Sequence, residues 1–95
     1  MKVTKLVEVV ETNVYSKKYS LREVFVNPEH VVMIREEARM RTLNEQGFLP
    51  SELSVSHRFT KLTINRGHTG TEIVVVGAPD VVESSLNNTK QLLRG

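Results

Sequence analysis

The run "EIVVV" at residues 72–76 constrains the fold more than any other segment of this 95-residue chain. A strand with one buried face alternates apolar and polar residues, whereas a continuous apolar run is typical of a strand that is buried on both faces. In an antiparallel sheet, some other element must then cover the second face. We therefore expect a helix or a neighbouring subunit to pack against this strand.

Other segments also have the composition of strands. Their β-branched content and alternation predict strands over residues 3–10, 21–26, 31–35 and 59–64. Asn27 and Pro28 separate the second strand from the third, because proline has no backbone N–H for the ladder. The polar segment 11–20 predicts a turn, so that the first two strands form a hairpin. Phe25 and Phe59 are expected in the core.

The segment "EEARMRTLNEQG", residues 36–47, allows two interpretations. Its composition favours a helix that stops at Gly47, but the same residues could continue the third strand before a loop. Further on, "LPSEL" at residues 49–53 predicts a short turn of helix started by Pro50.

The relative positions of three arginines in this region depend on whether the segment is a helix or a strand. In an extended strand, Arg35, Arg39 and Arg41 would share one face as a basic stripe suited to phosphates. In a helix, Arg35 and Arg39 would lie one turn apart and Arg41 would point away. The alternative without function is a solvated surface that Glu36 and Glu37 neutralise.

The C-terminal segment predicts a helix over residues 80–94. Asp80 can cap it, and Glu83 three residues later completes a capping box. Val82, Leu86 and Leu93 have helical spacing, with Thr89 between the last two, and would supply the covering face. Together these elements predict one mainly β domain over residues 1–95, a small, strongly bent, five-stranded antiparallel barrel with a C-terminal α-helix.

Composition sets further limits. The chain has no cysteine, which excludes disulfides and thiolate chemistry and favours the reducing cytoplasm. No apolar run approaches the ~18 residues of a membrane helix, so we expect no membrane partner. The net charge of +2 permits an anionic partner without requiring one. A chain of this length buries only ~60–65% of its unfolded surface, so association between copies is expected to add stability.

No pattern in the sequence indicates catalysis. His30, His57 and His68 are dispersed, and Ser54 and Ser56 near His57 have no nucleophile elbow or oriented base. No carboxylate pair or cofactor loop stands out. We expect no enzyme activity, no cofactor and no metal site.

The segment "NRGHTG", residues 65–70, predicts a six-residue hairpin loop in which Gly67 and Gly70 supply positive φ. In the simplest interpretation, Arg66 and His68 are solvated residues of an ordinary turn. In the functional one, Arg66 grips a phosphate or stacks on a base, and glycine lets the ligand approach the backbone.

Neighbouring side chains would support such a site. Lys61 and Arg58 add positive charge, and Tyr15 and Tyr19 in their polar turn could stack on bases. The candidate nucleic-acid-binding residues are Arg66, Gly67, His68, Asn65, Lys61, Arg58, Arg39 and Arg41.

The stretch "LTINRGHTGTEIVVV" resembles the second conserved half of the Sm and Sm-like RNA-binding proteins, with Ile64, Arg66 and Gly67 at the matching positions. The resemblance implies a bent five-stranded barrel that strand-to-strand pairing closes into cyclic homo-oligomeric rings. It also implies that Arg66 lies at the inner rim of the ring and contacts a base of single-stranded RNA, or of DNA. Such a protein would act in nucleic-acid processing or regulation.

The order "VFVNPEHVVMI", "TKLTINRG", "TEIVVVGAPDVVESSL" is also similar to that of small flagellar proteins of the FlbD type. The layout suits small phage-encoded proteins as well. This second resemblance favours the alternative function, a protein–protein interaction or assembly module without nucleic-acid binding.

Overall fold

The computed structural model describes residues 2–13 and 15–94, apart from the side chains of Arg66 and of residues 89–94. In chain order its elements are β1 (Thr4–Asn13), β2 (Lys18–Val26), a 3-10 helix (Pro28–His30), β3 (Val31–Glu36), α1 (Ala38–Glu45), β4 (Phe59–Arg66), β5 (Thr69–Val76) and α2 (Pro79–Arg94). The predicted class is confirmed, since the chain is mainly β, with a five-stranded antiparallel sheet and a C-terminal helix.

The sheet has the strand order β2-β1-β5-β4-β3. The β1–β2 and β4–β5 hairpins are each paired along nearly their whole length. In contrast, β1 and β5 pair only through Glu8–Val75 and Val9–Val74. The sheet is therefore two long hairpin arms, with β3 added at one edge, that are joined by a short contact at the centre.

The sheet curls without closing. β2 and β3 are its two edges, yet Val24 of β2 and Ile34 of β3 pack against the same core cluster. Only residues 27–30 connect these edges, where Asn27 Oδ1 accepts a hydrogen bond from Glu29 N at 3.0 Å and Pro28 is buried. The curl gives the sheet a concave and a convex face, and within the described residues β2 and β3 do not pair into a closed barrel.

A separate apolar cluster covers each face. The concave cluster joins the sheet to α2, and its buried members are Leu6, Val26, Leu62, Val75, Val82 and Leu86. The convex cluster joins the sheet to α1 and the segment after it, and its buried members are Val9, Leu43, Leu49 and Phe59. Val75 belongs to the concave cluster, whereas Val74 and Val76 pack on the convex one. Both faces of this strand are covered, fully at Val75 and partly at the half-buried Val74 and Val76, and helices of the same chain contribute to both coverings.

Within residues 36–47 the helical alternative is correct for Ala38–Glu45, which form α1, whereas Glu36 still belongs to β3. Gly47 follows α1 and has φ 85°. Two hydrogen bonds end the helix, one from Gly47 N to Asn44 O at 3.1 Å and one from Phe48 N to Leu43 O at 3.0 Å. This pair of bonds is the Schellman arrangement, which needs a left-handed residue and so favours glycine. The predicted stop at Gly47 is confirmed.

Some local predictions are wrong. Residues 49–53 form a turn, closed by Leu53 N donating to Pro50 O at 3.1 Å, rather than a piece of helix. Phe25 is 63% exposed, because it alternates with the inward-facing Val24 and Val26 and so points to the convex side. α2 begins at Pro79, where proline needs no N–H partner, so Asp80 lies in the first turn rather than at the cap.

Of the described residues, none belongs to a helix with the length and apolarity needed to cross a membrane.

Val75 provides the test of the doubly covered strand. Val75→Ala should lower the free energy of unfolding by about 2 kcal/mol, because the side chain is fully buried and its loss leaves a cavity. The matched Val81→Ala, at a position 58% exposed on α2, should change stability by less than about 0.5 kcal/mol. Urea denaturation of both variants measures the difference, and equal effects would contradict the burial of this strand.

Candidate nucleic-acid interface

The β4–β5 turn is shorter than the sequence predicts. β4 continues to Arg66, which pairs with Thr69 of β5, so the predicted six-residue loop is wrong and only Gly67 and His68 lie between the strands. Gly67 has φ 72°, as the first central position of a type II′ turn requires. Gly70 pairs with Asn65 inside the ladder and does not adopt positive φ, so the prediction for that glycine is also wrong.

This turn is open to solvent. Asn65, Gly67 and His68 are exposed, and a Cβ placed on Gly67 would meet nothing within 4 Å. A ligand could therefore reach the backbone at the tip. The structure gives the strand position of Arg66, but its side chain lies outside the described part, so its contact with a ligand stays a prediction.

Arg58 lies at the other end of β4, about 26 Å of strand from the turn. It is held by Glu36, with Nη2 2.7 Å from Oε1 and Nε 3.1 Å from Oε2. These charge-assisted hydrogen bonds lower the pKa of Glu36 below its ordinary value and raise that of Arg58. The structure does not bring Arg58 to the turn.

Lys61 and Arg41 also have acidic neighbours. The Nζ of the half-buried Lys61 lies 3.3 Å from Glu37 Oε2, on the same carboxylate that accepts the Arg39 backbone N–H at 3.3 Å. Arg41 Nε lies 3.8 Å from Glu45 Oε1, one turn along α1. Three of the predicted basic site residues thus have a glutamate partner. The glutamates expected to neutralise the three arginines of this region are used elsewhere, since Glu36 pairs with Arg58 and Glu37 with Lys61.

The arginine stripe does not form, because Arg35 lies in β3 while Arg39 and Arg41 belong to α1. Arg39 instead borders a cleft of about 330 Å³ on the convex face, beside Tyr19, Glu11 and Glu72. Burial raises the pKa of Tyr19, and the Glu11 carboxylate raises it further, while the charge of Arg39 opposes both.

Tyr19 is also packed, since it lies against the convex cluster. The two tyrosines flagged by the sequence therefore differ, and Tyr15 is the accessible one.

The β1–β2 turn, where the sequence flagged Tyr15, also brings Lys17 to Phe48, a contact that the sequence did not predict. Asn13 Oδ1 accepts hydrogen bonds from Tyr15 N at 3.0 Å and Ser16 N at 3.2 Å, which fixes the turn. Tyr15 is fully exposed, and Lys17 Nζ lies 5.8 Å from the centre of the Phe48 ring. The Tyr-Ser-Lys-Lys sequence indicates an aromatic and basic turn. Phe48 is distant in the chain, so no local pattern predicts its contact with Lys17.

His57, with Ser54 and Ser56, has a local role. His57 Nδ1 accepts the Ser54 backbone N–H at 2.9 Å, and the two serine hydroxyls lie 2.8 Å apart. Asn44 Nδ2 donates to Ser54 O at 2.8 Å and ties this segment to α1. Within the described part of the chain, no group of three or more His, Asp or Glu side chains could hold a metal ion.

No family model, curated protein or solved structure matches this chain. The resemblances to Sm-like and FlbD-type proteins consequently stay predictions.

Two glycines of the β4–β5 hairpin make a matched pair. Both have open space around the Cβ position, so Gly67→Ala and Gly70→Ala differ only in what the backbone allows. Gly67→Ala should destabilise the fold by about 1–2 kcal/mol, because an L-residue is strained at positive φ. Gly70→Ala should be neutral or stabilise by up to about 1 kcal/mol, because glycine weakens a strand. Thermal or urea unfolding measures both, and an equal loss would contradict the two-residue turn.

Proposed function

We propose that this chain is a non-catalytic nucleic-acid-binding protein that acts as a homo-oligomer, with single-stranded RNA as the expected ligand. The observation that carries the proposal is the exposed β4–β5 turn, where Gly67 leaves free space beside the backbone. Arg66 enters as the expected contact to a base or phosphate, since a guanidinium group can stack or bind bidentately. Asn65 and His68 flank it with further hydrogen-bonding groups.

A single turn of this size offers too few contacts for tight binding. Each phosphate contact contributes a limited, salt-dependent gain, whereas several linked turns raise the effective concentration of the second and later contacts. Self-association would repeat the β4–β5 turn and would therefore raise the overall affinity for a nucleic acid that contacts several copies at once.

The free edges of the sheet support self-association. Among the described residues, nothing pairs with the outer edges of β2 and β3, and these strands expose Phe25, Val32 and Met33. An unpaired edge is a template for another strand. Because the two edges differ, pairing β2 of one copy with β3 of the next is a head-to-tail contact, which closes into a ring where the rotation permits.

Binding is tested by fluorescence anisotropy with a labelled single-stranded RNA at about 50 mM and about 200 mM salt. We expect affinity that falls as salt rises, and a loss of about tenfold for Arg66→Ala, equivalent to about 1.4 kcal/mol. Arg35→Ala, which removes an exposed arginine from β3, is the matched control and should bind like the wild type. No binding at low salt, or no effect of Arg66→Ala, would contradict the proposal.

Self-association is tested by light scattering over a range of concentrations. We expect an oligomer, and we expect Phe25→Lys with Met33→Lys to shift it toward monomer because charge at a free edge opposes strand pairing. Val81→Lys adds the same charge at an exposed position of α2 and should leave the oligomer intact. A wild-type monomer at every concentration would exclude the ring.

A protein–protein interaction module is the second candidate. It is favoured by the ion pairs of Arg58, Lys61 and Arg41, which leave less free positive charge along β4 and α1. A stable protein partner, together with an ultraviolet absorbance ratio typical of protein free of nucleic acid after purification, would support this candidate.

A further inference from the structure

We infer that the β1–β2 turn is a second contact for single-stranded nucleic acid, in which Tyr15 stacks on a base while Lys17 and Lys18 contact phosphates. The inference rests on the proposed function, but it assigns the stacking contact to residues separate from the β4–β5 turn. The role of Tyr15 can therefore be tested separately from the role of Arg66.

Tyr15 has the exposure that a stacking platform needs. Its side chain is fully exposed, whereas Tyr19 packs against the convex cluster. The hydrogen bonds from Asn13 already fix the turn through the backbone of Tyr15 and Ser16, so the turn does not require an aromatic side chain at this position. A free aromatic ring on a fixed turn can receive any base, because every base has a π-face.

The lysines beside it are free of carboxylates. Within the described residues, neither Lys17 nor Lys18 has an acidic oxygen within 4.0 Å, in contrast to Lys5 and Lys61, which pair with glutamates. Free positive charge is thus concentrated next to the exposed ring. Phosphates lie next to bases along a single strand, so one short segment could satisfy both kinds of group.

Phe48 extends the same surface. It is 40% exposed, and Lys17 Nζ lies 5.8 Å from its ring centre, within the range of a cation–π contact. Lys17 itself has φ 52°, a conformation that few residues other than glycine adopt. The contact directs the Lys17 side chain from the turn toward a second aromatic ring. Lys17 thus has the exposed Tyr15 two residues before it in the chain and the Phe48 ring beside its charge.

The test compares Tyr15→Ala with Tyr15→Phe in anisotropy titrations of a fluorescein-labelled oligouridine. Tyr15→Ala should weaken binding about tenfold, and Tyr15→Phe should stay within about twofold of the wild type because the ring remains. Replacing both Lys17 and Lys18 by Gln should reduce the slope of log affinity against log salt by about 1.4, or ~0.7 for each lost phosphate contact. Because Tyr15 is fully exposed, its variants should unfold at the wild-type urea midpoint.

The outcomes separate the two proposals. If the wild type binds, Arg66→Ala weakens binding and Tyr15→Ala does not, then this inference is wrong and the proposed function stands. If Tyr15→Ala weakens binding but Arg66→Ala does not, the β1–β2 turn is the contact and the β4–β5 turn is not. Equal losses for Tyr15→Ala and Tyr15→Phe would rule out stacking. A wild type that binds no oligonucleotide at low salt would overturn both.

Discussion

Burial of β5 on both faces is the constraint on which the rest of this structure depends. Val75 is fully enclosed on the concave side, and Val74 and Val76 contact the opposite cluster. A strand of this kind needs two coverings, and a sheet alone supplies neither. α2 closes one side through Val82 and Leu86, while α1 and the segment after it close the other. The chain thereby satisfies its most apolar segment without a second subunit, so self-association, as proposed, involves the edges of the sheet rather than its core.

This arrangement determines which surfaces stay free. Arg58, Lys61 and Arg41 are each matched by a glutamate, as in the bidentate pair of Arg58 with Glu36. The two hairpin arms diverge after their short central pairing, so their turns extend into solvent. These turns carry the exposed aromatic ring of Tyr15, the open glycine at position 67, and two lysines that have no carboxylate partner among the described residues. The proposed contacts for nucleic acid therefore lie on turns whose side chains are not needed to pack the core.

The sequence predicted those features that depend on local chemistry. The apolar run at residues 72–76 required two coverings, Gly47 marked a helix end, and Pro28 marked the break between β2 and β3. Predictions from the sequence were wrong or absent where a residue's structure depends on a partner elsewhere in the chain. The residues from Arg66 to Thr69 have no strand pattern of their own. Arg66 and Thr69 nevertheless extend the ladder, because each pairs with the other across the hairpin. The contact of Lys17 with Phe48 and the pairing of Arg58 with Glu36 join residues distant in the chain, which no periodicity reveals.

Native-state hydrogen exchange measures the central constraint directly. If β5 is covered on both faces and paired on both edges at its centre, the amides of residues 74–76 should exchange only through global unfolding, with the free energy that urea denaturation gives. Amides of β2 and β3 that face away from the sheet should exchange through local opening at much lower free energy. Exchange of residues 74–76 as fast as that of the edge strands would contradict the account.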